Sequence, residues 1–221
     1  MRIVSGRYKG RIIQPPKNLR ARPTTDFAKE NLFNVITSYW NLDGVEVLDL
    51  FSGTGSISYE FASRGAGNII AVEINAIHYN YIRNMAQKFG FTQLHPVKAN
   101  AFLYLKSCTK QFDIIFADAP YDIEGSETIP ELVRTQNLLK PGGWFIFEHS
   151  KNLDVSHLPD FKEKRTYGSV NFSIFERPEQ EEKKMSKNVD FSPKLFGELK
   201  KTPIFASQLR NKVAQYLKTV W

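Results

Sequence analysis

Apolar residues in this chain follow two patterns that take turns. Val45–Leu50, Ile69–Glu73, Phe112–Ala117 and Trp144–Glu148 are short, mostly apolar runs, and Leu94–Ala99 is a more mixed one. Such runs predict strands buried on both faces of a sheet. Between them lie stretches near 56–64, 76–89, 101–106 and 126–137, where apolar positions recur every three to four residues, as on one face of a helix. Pro141-Gly142-Gly143 reads as a turn into the fifth strand. Two last strands, near 161–167 and 170–176, fit an antiparallel pair. Strand and helix in alternation predict an α/β fold, with a mostly parallel seven-stranded sheet and helices on both faces. Ligands of such sheets bind beyond the carboxyl ends of the strands, where Asp49, Glu73, Asn100 and Asp118 fall.

The ends of the chain depart from this alternation. Arg2-Ile3-Val4 and Arg11-Ile12-Ile13 flank Gly6 and Gly10, predicting a β-hairpin over residues 2–14. A loop with Pro15, Pro16 and Pro23 follows. Thr25 or Asp26 can cap the next helix, with Phe27, Leu32, Phe33, Ile36 and Trp40 expected on its buried side. From Glu179 the composition turns charged. Phe205, Leu209, Val213, Leu217 and Val220 then recur at helical spacing, predicting an amphipathic C-terminal helix. The expected organisation is a basic hairpin and loop (1–25), a central domain (26–178) and a linker with a helical extension (179–221).

Charge sharpens the reading of both ends. The net charge is +7, and residues 1–22 hold Arg2, Arg7, Lys9, Arg11, Lys17, Arg20 and Arg22 with no acid before Asp26. Arg7, Lys9, Arg11, Arg20 and Arg22 are therefore expected to meet nucleic-acid phosphates; a solvated basic face is the other reading, separable by salt dependence. The tail from 179 carries nine basic against five acidic residues. It can dock on the domain, bind a partner or grip RNA. No run approaches the roughly 18 apolar residues of a membrane span, and no secretory apolar segment opens the chain. The single cysteine, Cys108, permits no internal disulfide, which fits a reducing, cytoplasmic compartment. The four histidines show no metal spacing; His149 borders the expected site but reads better as a structural residue.

Two short motifs carry the chemistry. Gly53-Thr54-Gly55, after the first strand, lets the backbone turn sharply and approach a ligand closely. Asp49 is placed for a methionyl amino group. Glu73, ending the next strand, can accept both hydroxyl protons of a ribose. Asn100-Ala101 is suited to an adenine edge, though Asn is also a common turn residue. Phe51 and Thr24 join these as expected cofactor contacts. The loop lacks the Lys-Ser/Thr ending of a triphosphate loop and the spacing of a dinucleotide fingerprint. A bare tight turn beside a satisfied acid is the competing reading, which Glu73 in register weakens.

Asp118-Ala119-Pro120-Tyr121 ends the fourth strand. The Asp118 carboxylate and the Ala119 carbonyl can accept both hydrogens of a nucleobase amine, favouring a pyramidal nitrogen whose lone pair faces a methyl donor. Tyr121 can stack on the base. Together the motifs predict methyl transfer from S-adenosylmethionine to a nucleobase nitrogen, without a metal. Methylation at pyrimidine C5 normally needs a cysteine nucleophile, and Cys108 lies far from either motif. The clamp serves guanine N2 and adenine N6 equally, so an adenine-N6 methyltransferase on DNA or RNA stays open. So does a catalytically weak RNA-binding assembly factor with the same fold.

With Arg22-Pro23-Thr24-Thr25-Asp26, Glu30-Asn31-Leu32-Phe33-Asn34, the N-terminal Gly-Arg-Tyr-Lys-Gly-Arg element and Glu148-His149, these motifs resemble the bacterial RsmD family over about residues 1–177. The resemblance implies a class I Rossmann-like S-adenosylmethionine-dependent enzyme. It also implies methylation of N2 of one guanine in 16S rRNA, within an assembling 30S particle. The family's usual Asp-Pro-Pro-Tyr/Phe has Ala119 in place of its first proline here. That keeps the carbonyl acceptor and loses one φ constraint.

Overall fold

The computed structural model describes residues 1–15, 25–120 and 123–179. Its centre is a seven-stranded sheet in the order β3-β2-β1-β4-β5-β7-β6. The strands are β1 (Glu46–Leu50), β2 (Asn68–Glu73), β3 (Leu94–Lys98), β4 (Phe112–Asp118), β5 (Leu139–His149), β6 (Phe161–Tyr167) and β7 (Val170–Glu176). The first five run parallel, and β7 pairs antiparallel with both β5 and β6. The order reverses at β1, which has β2 on one side and β4 on the other. A crevice opens at such a switch point, outside the carboxyl ends.

Strand alternation sorts side chains into two cores. Val47, Ile69, Ile114, Phe116, Ile146 and Phe172 face α1 (Asp26–Tyr39), α2 (Ser56–Ser63) and α3 (Ala76–Phe89). Leu48, Leu50, Ile70, Ile115, Phe145 and Phe147 face α4 (Ala101–Ser107) and α5 (Ile129–Thr135). Each fully buried Phe or Ile contributes roughly 1.5–3 kcal/mol. The end signals of α3 follow its predicted bounds: Asn75 caps it by accepting from Ile77 and His78 N–H, and Gly90 closes it at φ 68°.

Three elements differ from expectation. Phe27 is 64% exposed, while Lys29 is 1% exposed. The phase of α1 is set by Ala28, Leu32, Phe33 and Ile36, which leaves Phe27 on the rim against Tyr167. Lys29 is tolerated because its ammonium donates to the Arg2 carbonyl (2.6 Å) and Ser56 Oγ (3.2 Å) and lies 3.5 Å from Asp26. Trp40 is half-buried, edge-on to Trp144. Pro141-Gly142-Gly143 lies inside β5, not before it. There the β4–β5 register shifts, and a Cβ on Gly143 would come within 3.1 Å of three carbonyl oxygens. The helix expected over 126–137 is a 3₁₀ turn (Ser126–Thr128) followed by α5.

The N-terminal hairpin is present but short. Ile3 and Arg11 share a backbone hydrogen bond of 3.0 Å, Ile13 and Met1 one of 2.9 Å, and Arg2–Ile12 form a β-bridge. Its turn is fastened to α2. Buried Glu60 accepts from Val4 N–H (2.8 Å) and Ser5 N–H (3.0 Å), and Arg7 N–H donates to the Ser63 carbonyl at 2.7 Å. The amphipathic helix expected near 205–220 lies outside the described residues. Among those described, no helix is long and apolar enough to cross a membrane.

Candidate active site

The register of the sheet gathers carboxylates. Asp49 pairs with Ala71 and with Phe116, so Glu73 and Asp118, each two positions further on, point to the same face as Asp49. Asp118 pairs with Glu148 on β5. Four adjacent strands thus present four acids from one face at the carboxyl edge. They line a cleft of about 440 Å³, together with Phe51, Gly53, Asn100, Ala101, Ala119 and Pro120. That volume lies within the usual range of small-molecule sites, about 300–1,000 Å³. Among the described residues, no group of acidic, His or Cys side chains could hold a metal ion.

The loop after β1 is held by its own polar atoms. Ser52 N–H donates to the Val72 carbonyl at 3.1 Å, and Gly55 N–H to the Ser52 carbonyl at 2.7 Å. Phe51 and Gly53 both take positive φ, 57° and 54°. For Phe51 that is an uncommon conformation, steadied by an edge-to-face contact with Phe102. Glu73 accepts from Gly53 N–H through one oxygen (2.8 Å) and from Asn75 N–H through the other (2.7 Å). Each carboxylate oxygen keeps further lone-pair capacity for a ligand hydroxyl.

Asp49 is almost wholly buried and accepts from Ser58 Oγ. Burial pushes its carboxyl up to about 7, opposed by the Ser58 hydrogen bond and reinforced by the negative charges of Asp118 and Glu73. A cation arriving here would relieve that cost. Asn100 caps α4, its oxygen accepting from Phe102 N–H (2.9 Å) and Leu103 N–H (3.1 Å). Only its amide N–H groups are left to meet a ligand, so it does the turn residue's work as well as lining the cleft. His149 is buried, with its ring nitrogens 2.8 Å from the Ser150 carbonyl and Ser173 Oγ. Burial holds its pKa below the ordinary value, as suits a structural residue.

The structure therefore brings Asp49, Phe51, Gly53, Glu73, Asn100, Ala101, Asp118, Ala119 and Pro120 to one cleft. Gly55 is not part of its lining. At φ 81° it opens α2, and a Cβ there would lie 2.8 Å from the Tyr59 ring. Arg7, Lys9 and Arg11 are exposed on the hairpin turn, against Ser63 and Phe89 at the far ends of α2 and α3. Thr24, Arg20, Arg22 and Tyr121 lie outside the described residues. Reading by motif passed over Thr25, Asn75 and His78, which also line the cleft, and Ser58, which holds Asp49. Asn75 stood immediately before a helical run and was findable as a cap; Ser58, inside α2, carried no signal.

The family model described as conserved hypothetical protein 95 matches residues 1–176. A ribosomal RNA small subunit methyltransferase D of Buchnera aphidicola subsp. Baizongia pistaciae is 29% identical over 180 residues, covering 79% of this chain and 91% of that protein. The protein of that name from Escherichia coli strain K12 is 32% identical over 150 residues, 67% of this chain and 71% of its own length. Among solved structures, a 16S rRNA N2 methyltransferase of Thermus thermophilus, in complex with AdoMet and guanosine, superposes with a TM-score of 0.58. It is 19% identical, covers 72% of this chain and 45% of its own, and speaks for the fold alone.

Proposed function

The chain belongs to the family of conserved hypothetical protein 95, and from that membership we propose that it transfers a methyl group from S-adenosylmethionine to N2 of a guanine in 16S rRNA. The observation that carries the reading is that Asp118-Ala119-Pro120 and the loop tied by Glu73 line a single cleft. Its floor suits a ligand bearing both a sulfonium and an ammonium group, because the carboxylates of Asp49 and Glu73 favour positive charge there.

S-adenosylmethionine, when bound, supplies an activated methyl on sulfur. Its methyl would pass to the N2 lone pair, with S-adenosylhomocysteine as the leaving group and one N2 proton lost. The protein's work is alignment and charge. Asp49 attracts the methionyl ammonium. Glu73 takes the ribose hydroxyls with its remaining lone pairs, and the Asn100 amide and Ala101 border the adenine. Phe51 and Gly53 shape the loop around the cofactor, with Thr24 assigned to the same site. Asp118 and the Ala119 carbonyl hold the two amine hydrogens, Pro120 stiffens the turn and Tyr121 stacks on the base. The departing proton passes to solvent or a carboxylate, so no strong base is required.

The substrate form we favour is rRNA within an assembling 30S particle, in the cytoplasm. Arg7, Lys9, Arg11, Arg20 and Arg22 serve phosphates in this reading.

The test incubates the full chain with S-adenosylmethionine and unmethylated 16S rRNA, free or assembled with small-subunit proteins, followed by mass analysis of nucleosides. N2-methylguanosine is expected. Asp118→Ala should abolish it while cofactor affinity stays within about threefold, since one hydrogen-bonding group on the base side is removed. N6-methyladenosine as the product, or normal turnover by Asp118→Ala, would overturn the reading.

A further inference from the structure

A second cavity, of about 240 Å³, lies off the end of β5 and shares only Ala119 and Glu148 with the first. These two residues are thus the partition between the cofactor cleft and a smaller chamber. Its other polar walls are Ser126, Glu127, His149, Ser150 and Asn152, which offer both donors and acceptors. Glu148 is 5% exposed, and it stands directly across from Asp118 in the parallel β4–β5 pair. Neighbouring strands are about 4.8 Å apart, so the two carboxylates rise side by side from one face.

On guanine, the N2 amine and the N1–H are adjacent donors on one edge. On adenine, the N6 amine is flanked by N1, an acceptor. An amine held by Asp118 and the Ala119 carbonyl leaves the neighbouring ring position facing the next strand over. A carboxylate there accepts an N–H and repels a lone pair. We propose that Glu148 is the residue that selects guanine: its carboxylate accepts N1–H while Asp118 and Ala119 hold N2, and the rest of the ring enters the second cavity. Glu148 touches the base and takes no part in the methyl transfer itself. This inference rests on the guanine-N2 reading above, and it explains how a clamp that fits either amine acts on one.

A base analogue that keeps the amine and reverses the neighbouring atom makes the test. 2-Aminopurine carries the same 2-amino group beside an N1 that accepts. The methylated guanine is first located in unmethylated 16S rRNA by mass mapping, and RNA with 2-aminopurine at that position is then assembled by ligation. The wild-type chain should prefer guanine by tenfold or more in kcat/KM, as expected for a site whose charged acceptor would be left facing a lone pair. In Glu148→Gln the side-chain amide can donate to N1 of 2-aminopurine. The guanine to 2-aminopurine ratio should fall by about tenfold or more, with S-adenosylmethionine affinity unchanged. A purely structural Glu148 would lower both rates together and leave the ratio alone.

Equal use of the two bases by the wild-type chain overturns the proposal without any variant, as does an unaltered ratio in Glu148→Gln. A wild-type product other than N2-methylguanosine overturns the guanine reading instead, and is recognised at the mapping step. Should Glu148→Gln not fold, Glu148→Asp replaces it, because a retracted carboxylate should also lower the ratio while keeping the charge.

Discussion

Glu73 accepts the backbone N–H of Gly53 at 2.8 Å, so the acid that ends β2 also fixes the turn that leaves β1. The other Glu73 oxygen takes Asn75 N–H at 2.7 Å, which starts α3. One carboxylate therefore sets the position of both loops on the cofactor side. Glu73→Gln offers one acceptor oxygen for two N–H donors, and its NH₂ group opposes whichever it faces. Hydrogen bonds to charged groups are worth about 1.5–3 kcal/mol, so S-adenosylmethionine affinity should fall roughly tenfold to a hundredfold. Titration calorimetry reads this directly. An unchanged Kd would show that the loop is held by its other hydrogen bonds and that Glu73 does not meet the ribose.

Asp49 makes cofactor binding depend on pH. Its carboxyl sits at about 7 in the folded protein, against an ordinary 3.8. The folded state thus holds this proton more tightly than the unfolded chain does. The contribution of Asp49 to stability is lost as pH rises from 3.8 to about 7. A bound ammonium stabilises the ionised form, so binding releases the proton. Affinity should weaken as pH falls below about 7, approaching roughly tenfold per unit, as Asp49 takes up its proton. Asp49→Asn should bind weakly at every pH, without the slope, and should raise the melting temperature of the free protein at pH 8. Because the Asp118 charge raises the Asp49 pKa, Asp118→Asn should move the midpoint of the profile to lower pH. A profile that does not bend between pH 6 and 8 would remove Asp49 from contact with the cofactor's charge.

Ala119 is 3% exposed and occupies the position where the resembled family motif has proline. Its carbonyl is the acceptor the clamp needs, and a proline would leave that carbonyl in place while fixing φ. Ala119→Pro should keep activity and raise stability by about 0.4–1 kcal/mol through the unfolded chain's lost freedom. Thermal unfolding and single-turnover methylation check the two halves. Loss of activity would mean that the present φ of Ala119 is one proline cannot take.

Elements whose ends carry their own chemistry were the most readable from sequence. Helix α3 starts at the Asn75 cap and stops at Gly90, and both signals are local. Strands β1, β2, β4 and β5 followed from runs too apolar to be exposed on either face, whereas β3 and β6 each have exposed positions. What could not be read depends on partners distant in sequence. Lys29 is buried because the Arg2 carbonyl and Ser56 meet it, and nothing within α1 announces them. Gly142 and Gly143 read as a turn, but backbone approaches from Phe112, Asp113 and Arg177 hold them in β5. The site itself shows the same division. Asp49, Gly53, Glu73 and Asp118 were legible because strand ends in this topology converge. Gly55 was read as a ligand contact, yet it lies outside the lining and carries a left-handed turn, while Asn100 lines the cleft and also caps α4. The pairing of Asp118 with Glu148 required the register.

The hairpin turn is the last feature whose role the geometry constrains. Arg7 and Arg11 lie against the Tyr8 ring, with Arg11 also over Phe89 at the end of α3. Residues lining the cleft, Asn75 and His78, sit at the start of that helix. Fourteen residues at 1.5 Å each place the two ends ~20 Å apart. The turn's charges can therefore grip phosphates well away from the target base and leave the cofactor undisturbed. Replacing Arg7, Lys9 and Arg11 with Gln should weaken RNA binding and reduce the slope of log K against log salt by about 2–3, near 0.7–0.9 per lost phosphate contact. S-adenosylmethionine affinity should not change. Gly6→Ala tests the same surface by another route: at φ 82° an added Cβ would sit 2.0 Å from the Ser63 carbonyl oxygen. The turn must then leave its seat on α2, and RNA affinity should fall although every charge is kept. If both variants bind RNA like the parent chain at all salt concentrations, the hairpin turn is a solvated basic face and the grip on RNA lies elsewhere.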